Sequence, residues 1–394
     1  EASQQMQFKK FIEVLCSFMV NILVMLVCYF TLPQTARAEV SIIGSSGSTI
    51  KIEKIAVFDE PWALTFINEN DLLVSTKKGK LWLVKKDGTK FLIDGLPDIT
   101  YGGQGGLGDI LPHPNFSQNS LVYLSFVASE NNGRTRGAKV IRAKLENLIL
   151  RNHQLIWEQL PETKGRGHFS HRLAFGPAGS SHNGMLFISS GDRQIMDPAQ
   201  SFDNNLGKII RLHDDGRIPN DNPFKEMGFP ANTIWSLGHR NVLGIAFAPN
   251  NSLWANEMGP LHGDELNLIS EGANYGWPIV SEGNHYNGKH IPSHSTNDKF
   301  TPPVRFWVPT IAPSSLAFMP IEAGKKWSGN AFISGLKSKS IFRLEIENEQ
   351  VTHEEKFFIG KRIRALTISH DSTIWAIEDG GMGRLLKLNL EQGF

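Results

Sequence analysis

The sequence predicts an all-β fold, a six-bladed β-propeller, and three observations lead there. No long stretch carries apolar residues at i, i+3, i+4 and i+7, the spacing that would set one face of a helix against a core. Short runs rich in β-branched and aromatic residues are separated instead by Gly, Asn, Asp and Ser. One phrase also recurs six times: an apolar run ending in a turn, a second apolar strand, then usually a Gly-bounded turn and a third run.

The first copy, WALTFINENDLLVSTKKGKLWLV at 62–84, contains all three runs. The second, LGDILPHPNFSQNSLVYLSF at 107–126, and the third, RLAFGPAGSSHNGMLFISSGD at 172–192, each join two runs through a Pro-bearing turn. The phrase returns as VLGIAFAPNNSLWANEMG at 242–259, SLAFMPIEAGKKWSGNAFISGL at 315–336 and IRALTISHDSTIWAIEDG at 363–380. Copies start at intervals of roughly 45 to 75 residues, as expected when loops vary and strands do not. Six small sheets packed face to face around an axis account for six equivalent phrases, which a large β-sandwich does not require. Loops at one mouth of such a channel converge, so functional residues should recur near equivalent strand ends.

Residues 1–38 differ in composition from everything after them. Lys9 and Lys10 precede a run from Phe11 to Phe30 that is apolar apart from Glu13, Ser17 and Asn21, and Ala36-Arg37-Ala38 follows. This is the pattern of a secretory signal peptide cleaved after Ala38, leaving 39–394 as one exported propeller domain. The apolar run is long enough that an uncleaved membrane anchor is the alternative, and contact with a membrane is expected only in that case. Both cysteines, Cys16 and Cys28, lie in the leader, so the mature chain is expected to use neither disulfides nor thiolates. With 40 basic and 39 acidic side chains, nothing suggests a nucleic-acid partner.

Electrostatic specificity must then be local. The stretch GRGHFSHRLAFG at 165–176 places His168 and His171 between a glycine-rich loop and the third phrase, and the equivalent place in the second is Tyr101-Gly-Gly-Gln104-Gly-Gly106. Glycine lets backbone approach a ligand closely, and Gln104 offers both a donor and an acceptor. The fourth phrase opens with Gly238-His-Arg240-Asn241 and ends in a loop bearing Gly259, Pro260, Asp264 and Glu265, whose oxygen donors suit a hard cation such as Ca²⁺ without the acidic spacing of an EF-hand. Lys337, Arg362 and Arg364 approach equivalent strand ends, and residues i and i+2 of a strand face the same way, so the two arginines could clamp one anion. With Arg240 they form a four-cation set that suggests a small ligand with several carboxylates or phosphates. P-loop, dinucleotide, Gly-x-Ser-x-Gly and His-Glu-x-x-His signatures are all missing from the sequence.

In their order along the chain, GGQGGLGDILPHPNF, HFSHRLAFG, GKIIRLHDDGRIPNDNPF, GHRNVLGIAFAP, NEMGPLHGDELNLISEGANYGWP, SGLK and KRIRAL resemble the soluble quinoprotein sugar dehydrogenases, in particular the periplasmic aldose sugar dehydrogenase branch. The likeness runs from about Pro61 to Leu388. It implies a six-bladed propeller that binds pyrroloquinoline quinone (PQQ) at the channel mouth with Ca²⁺ beside it, and oxidises aldoses at the anomeric carbon to aldonolactones. Carried over by position, Gln104, Arg240, Asn241, Tyr286, Lys337, Arg362 and Arg364 contact the quinone, and the carbonyls of Gly259 and Pro260 ligate its Ca²⁺. A second, structural Ca²⁺ uses Glu265 and the Tyr275 region. His168 falls on the general base, whereas His171, three residues on in an extended approach, is expected to face away and serve packing.

Three positions depart from the glucose dehydrogenases of this family. Gly167 stands where an acidic residue can precede the base, Leu243 where Arg-Asn-x-Gln has glutamine, and Ala365 where Arg-x-Arg is often followed by Asp. The first leaves the base without an adjacent carboxylate, and the second removes a polar group near the cofactor, so affinity and substrate range are more exposed to change than reaction type. Two other readings are a noncatalytic propeller that binds carbohydrate or protein, and a Ca²⁺-dependent lactonase using Gln104, Asn241 and Glu265. The sugar and the electron acceptor are not written in the sequence, and a monomer or a homodimer is expected.

Overall fold

Each recurring phrase becomes the inner strands of one antiparallel sheet, and six sheets close into a ring. The computed structural model describes residues 39–322 and 326–390; the expected leader at 1–38 lies outside them. From the axis outward, blade 1 comprises Pro61–Phe66, Asp71–Thr76, Lys80–Lys85 and Lys90–Ile93, and blade 2 comprises Leu107–Pro112, Leu121–Ala128, Gly137–Glu146 and Ile149–Glu158. The innermost strands of blades 3 to 6 are Ser170–Phe175, Val242–Phe247, Pro313–Phe318 and Ile363–Ile368. Each lies beside the innermost strand of the next blade, and that of blade 6 returns to blade 1.

Second strands read as continuous apolar runs because neighbouring blades cover both of their faces. Ile374–Glu378 is buried along its whole length, and Asp71–Thr76 from Leu72 onward. Leu72, Val74, Trp375 and Ile377 form the interface between blades 1 and 6, with the Trp375 ring edge-on to Phe66 at 5.7 Å. Burial of each such side chain contributes about 1.5–3 kcal/mol.

The ring is closed by residues far apart in the chain. Blade 6 takes its fourth strand, Thr49–Phe58, from the beginning of the described chain; it pairs antiparallel with Gly383–Leu390 from Ile50 opposite Leu390 to Phe58 opposite Gly383. Glu39–Ile43 adds a fifth, outermost strand.

All six innermost strands carry a bulge near their start. Pairing with the second strand skips Trp62 in blade 1, Gly108 and Asp109 in blade 2, and His171 and Arg172 in blade 3. It likewise skips Leu243, Ser314 and Arg364 in blades 4, 5 and 6. A bulge turns the extra residue out of the ladder and re-aims its side chain. Here it does so at the same level of every blade, at one mouth of the axis.

Gly108 is needed at its bulge. A Cβ there would lie 1.9 Å from His171 Cε1 and 2.8 Å from Ser125 Oγ. Gly108→Ala is expected to push the His171 ring off its packed position and to lower stability by about 1–3 kcal/mol, read from urea or thermal unfolding.

Candidate active site

At the bulged mouth lies a cavity of about 410 Å³, walled by Gln104, Ser170, Asn241, Leu243, Arg362, Arg364 and Asp379 among others. These residues come from four blades or the loops leading into them. His168 is buried behind this wall and is not among its lining residues, whereas His171, expected to face away, is; the His168 backbone N–H donates to the wall residue Gln104 through Oε1 at 2.7 Å.

The bend that brings His168 inward is a run of left-handed backbone. His168, Ser170 and His171 have φ of 49°, 59° and 54°, a region non-glycine residues seldom occupy and which costs about 1–3 kcal/mol apiece. The approach is therefore not extended, contrary to the reading that separated the two histidines by strand alternation. They part because the chain bulges: His171 stacks on Trp62 at 5.0 Å, with Nδ1 2.7 Å from Ser125 Oγ. Burial, reinforced by Arg172 and Arg193, pushes the His171 pKa down to about 3, so its ring stays neutral.

His168 has a carboxylate after all. Nδ1 lies 2.7 Å from Asp192 Oδ1, in the loop that follows the second strand of the same blade. A carboxylate only accepts, so the proton sits on Nδ1 and Nε2 keeps a lone pair. Asp192 Oδ1 also accepts from Gln194 N at 2.8 Å, and Oδ2 from Trp277 Nε1 at 2.8 Å. A Cβ at Gly167 would come within 2.5 Å of Gln194 Oε1, the end of an exposed side chain that would have to swing aside. Burial holds the His168 pKa below the ordinary imidazole value against the pull of Asp192, with Arg240 and Arg193 adding to the depression.

The cations are not an unopposed ring. Arg362 Nε donates to Asp379 Oδ2 at 2.7 Å, and Arg364 donates to Asp379 Oδ1 from Nε at 2.8 Å and Nη2 at 2.7 Å. The two arginines do meet, at one carboxylate that fixes both, but Arg362 precedes the strand and Arg364 is its bulge residue, so regular alternation is not what brings them together. A carboxylate thus stands beside them although Ala365 offers none. Arg240 donates through Nη1 to the carbonyls of Met258 at 3.0 Å and Gly259 at 2.7 Å, while its buried Nε has no partner among the described residues. Its guanidinium lies 5.2 Å from the Trp277 ring and 6.0 Å from that of Tyr286. Lys337 and Tyr286 are exposed and stand outside the cavity wall. Asn241 Oδ1 accepts from Ser170 Oγ at 3.1 Å, and Leu243 occupies the wall where a glutamine was absent.

Behind Arg240, Gly259, Pro260, Glu265 and Tyr275 line a void of about 10 Å³ together with Glu257, room for one water or one ion. Burial first, then the charge of Glu257, raises the Glu265 pKa well above the usual carboxylate range. Asn267 Nδ2 is the donor these two carboxylates share, at 3.2 Å from Glu257 Oε1 and 3.1 Å from Glu265 Oε2. The Tyr275 carbonyl faces His294 Nε2 at 3.0 Å. Among the described residues no three His, Cys, Asp or Glu side chains converge as metal ligands, so main-chain carbonyls would have to complete any coordination here.

Residues 58–387 match the Glucose / Sorbosone dehydrogenase family. The chain is a member of that family. It is 34% identical over 361 residues to the aldose sugar dehydrogenase YliI of Escherichia coli, covering 89% of this chain and 95% of the relative. To the quinoprotein glucose dehydrogenase B of Acinetobacter calcoaceticus it is 27% identical over 347 residues, 77% of this chain and 68% of that one. The crystal structure of the soluble E. coli aldose sugar dehydrogenase in its apo form superposes with a TM-score of 0.80 at 32% identity, covering 87% of this chain and 100% of that one. The PQQ-bound aldose sugar dehydrogenase of Streptomyces coelicolor gives 0.72 at 26% identity, over 88% and 100%. This glucose/sorbosone dehydrogenase family member is thus an oxidoreductase with the propeller its sequence predicts, and among its described residues no helix is long and apolar enough to cross a membrane.

Sequence reading missed three residues in this dehydrogenase: Asp192, Asp379 and Trp277. The first two had a signal. Asp192, Glu257 and Asp379 all stand at or just past the ends of second strands, in blades 3, 4 and 6. Trp277 had none, because the long loop that carries it reaches the site from the outer part of blade 4.

Proposed function

We propose that this oxidoreductase oxidises aldose sugars at the anomeric carbon to aldonolactones, with PQQ as its cofactor, Ca²⁺ bound nearby and His168 as general base. The observation that carries the reading is the pairing of His168 with Asp192 beside a cavity walled by cations and amides. The tautomer is set by the carboxylate, so Nε2 is the atom that takes the proton from the anomeric hydroxyl as the C1–H bond breaks. A depressed pKa keeps that nitrogen unprotonated at neutral pH.

The residues present fit the cofactor. Arg362, Arg364, Gln104 and Asn241 in the wall can meet its carboxylates, and the buried, unpartnered Nε of Arg240 is a donor without an acceptor. When bound, PQQ supplies an electrophilic carbonyl that accepts the hydride. The charge of Asp379 holds both arginines rigid and prevents them from repelling each other before the ligand arrives. Lys337 and Tyr286 are left as rim contacts. Ca²⁺ fits the oxygen donors Gly259, Pro260, Glu265 and Tyr275: the Gly259 carbonyl keeps a lone pair beyond its bond to Arg240, and a divalent ion would relieve the crowding of Glu257 and Glu265. The likeness to the Acinetobacter quinoprotein and to the PQQ-bound Streptomyces enzyme supports the quinone, and the leader pattern supports a periplasmic site of action.

The test is reconstitution of residues 39–394 with PQQ and Ca²⁺, followed by aldose-dependent reduction of a dye. Turnover with several aldoses, lost on chelation with EGTA and restored by Ca²⁺, is the expected result. Tight quinone binding without turnover of any aldose would sink the substrate assignment, and no quinone binding would sink the cofactor assignment.

A further inference from the structure

One buried guanidinium meets the bulge of every other blade. Arg172, itself a bulge residue of blade 3, lies 3.9 Å from the Trp62 ring of blade 1 and donates to Asp109 Oδ1 of blade 2 at 3.3 Å. It donates to the carbonyls of Leu243 in blade 4 at 2.8 Å, Ser314 in blade 5 at 3.3 Å and Arg364 in blade 6 at 3.5 Å. These five residues are the ones the inner ladders skip, apart from Gly108 and His171. A bulge takes its extra residue out of strand pairing, and a buried carbonyl left without a donor is costly. A planar fork with five N–H donors and a stacking face can serve several such groups at once; a lysine ammonium cannot.

Resting on the quinone reading above, we propose that Arg172 is a positioning residue: the axial pin that holds the six bulges in register and, through them, sets the floor of the cofactor cavity. The link to the cavity is short. Ser314 Oγ donates to the Arg364 carbonyl at 2.6 Å, and Arg364, whose carbonyl Arg172 also holds, presents its guanidinium to the cavity wall. Leu243, gripped by its carbonyl, lines this cavity and also a second one of about 280 Å³ below, which Arg172 and Asp109 line as well. Leu243 and Arg172 therefore form the partition between the two axial cavities. Without the guanidinium, the carbonyls of Leu243, Ser314 and Arg364 lose a donor together, the partition opens, and the Arg364 backbone is held from below only by Ser314 Oγ while its side chain stays on Asp379.

The experiment compares Arg172→Met, Arg172→Lys and Arg343→Met in the Ca²⁺-loaded mature chain. Arg343 is also buried, but it is tied to Glu355, Glu345 and Asn330 on the third strand of blade 5, away from the cavity. All variants are assayed well below their unfolding temperatures. Arg172→Met is expected to weaken PQQ binding at least 10-fold by spectral titration, with Arg172→Lys restoring little, while Arg343→Met lowers thermal stability and leaves quinone affinity unchanged. Hydrogen exchange is the second readout: peptides covering 313–318 and 363–368 should exchange faster in Arg172→Met and not in Arg343→Met. Unchanged quinone affinity in Arg172→Met overturns the positioning role. If the wild-type protein binds no PQQ, the cofactor reading fails on its own, and the pin then stands or falls on the exchange data: inner-strand peptides no faster than in Arg343→Met overturn it.

Discussion

His168→Ala is expected to reduce aldose-dependent dye reduction about 10²- to 10⁴-fold while changing PQQ affinity little, the loss typical of removing a positioned general base. The split is the diagnostic part. His168 meets the cavity wall through its backbone bond to Gln104, which alanine can keep, whereas the imidazole is held by Asp192 through Nδ1, leaving the lone pair on Nε2. The comparison is made by steady-state kinetics and quinone titration on the same preparation. Turnover within a few-fold of wild type would remove His168 from the chemistry.

Asp192→Asn should be nearly as damaging, with a separate signature in pH. The carboxylate accepts from three donors, His168 Nδ1, Gln194 N and Trp277 Nε1. An amide of the same shape must point its NH₂ at one of them, so either the imidazole loses its orienting bond or the Trp277 loop is displaced. A fall of at least about 10²-fold in kcat is expected, because a ring free to present the wrong tautomer offers N–H where a base is needed. The sign of the pH effect follows from the groups around the ring. Burial already depresses the His168 pKa, and Asp192 is what raises it again. In the wild type the base is active above that depressed pKa, and kcat/KM is lost as pH falls through it, below the ordinary value near 6.5. Removing the Asp192 charge takes away the upward pull, so the acid limb of the variant should move to still lower pH as the plateau drops. An acid limb that stays in place would mean that another group controls it.

The arrangement of the blades was legible because it is written locally. All six phrases, from Trp62 to Gly380, fall on paired inner strands, where burial on both faces forces continuous apolar runs. The strand at Thr49–Phe58 was not legible as part of the last blade, since nothing within it identifies a partner more than 320 residues away. At the site, side-chain type pointed to Gln104, Asn241, Arg362 and Arg364, and the fold brings them to one wall. The carboxylate beside His168 was sought in the adjacent position, at Gly167, because sequence neighbours are the ones a linear reading can see. The fold instead uses Asp192, across the strand turn, and Asp379 in place of a neighbour at Ala365. Lys337 shows the opposite failure: a cation at an equivalent strand end whose side chain is exposed and outside the cavity wall.

The way the circle is shut also bears on how the protein comes into being and how it is lost. Thr49–Phe58 waits for Gly383–Leu390, so a ribosome must release the chain through residue 390 before that sheet can assemble. An interrupted translation product, or one nicked ahead of residue 383, leaves a long apolar strand edge without its mate. Such an edge favours capture by proteases or self-association, and delivery of the 383–390 strand becomes the checkpoint on which a sound molecule depends.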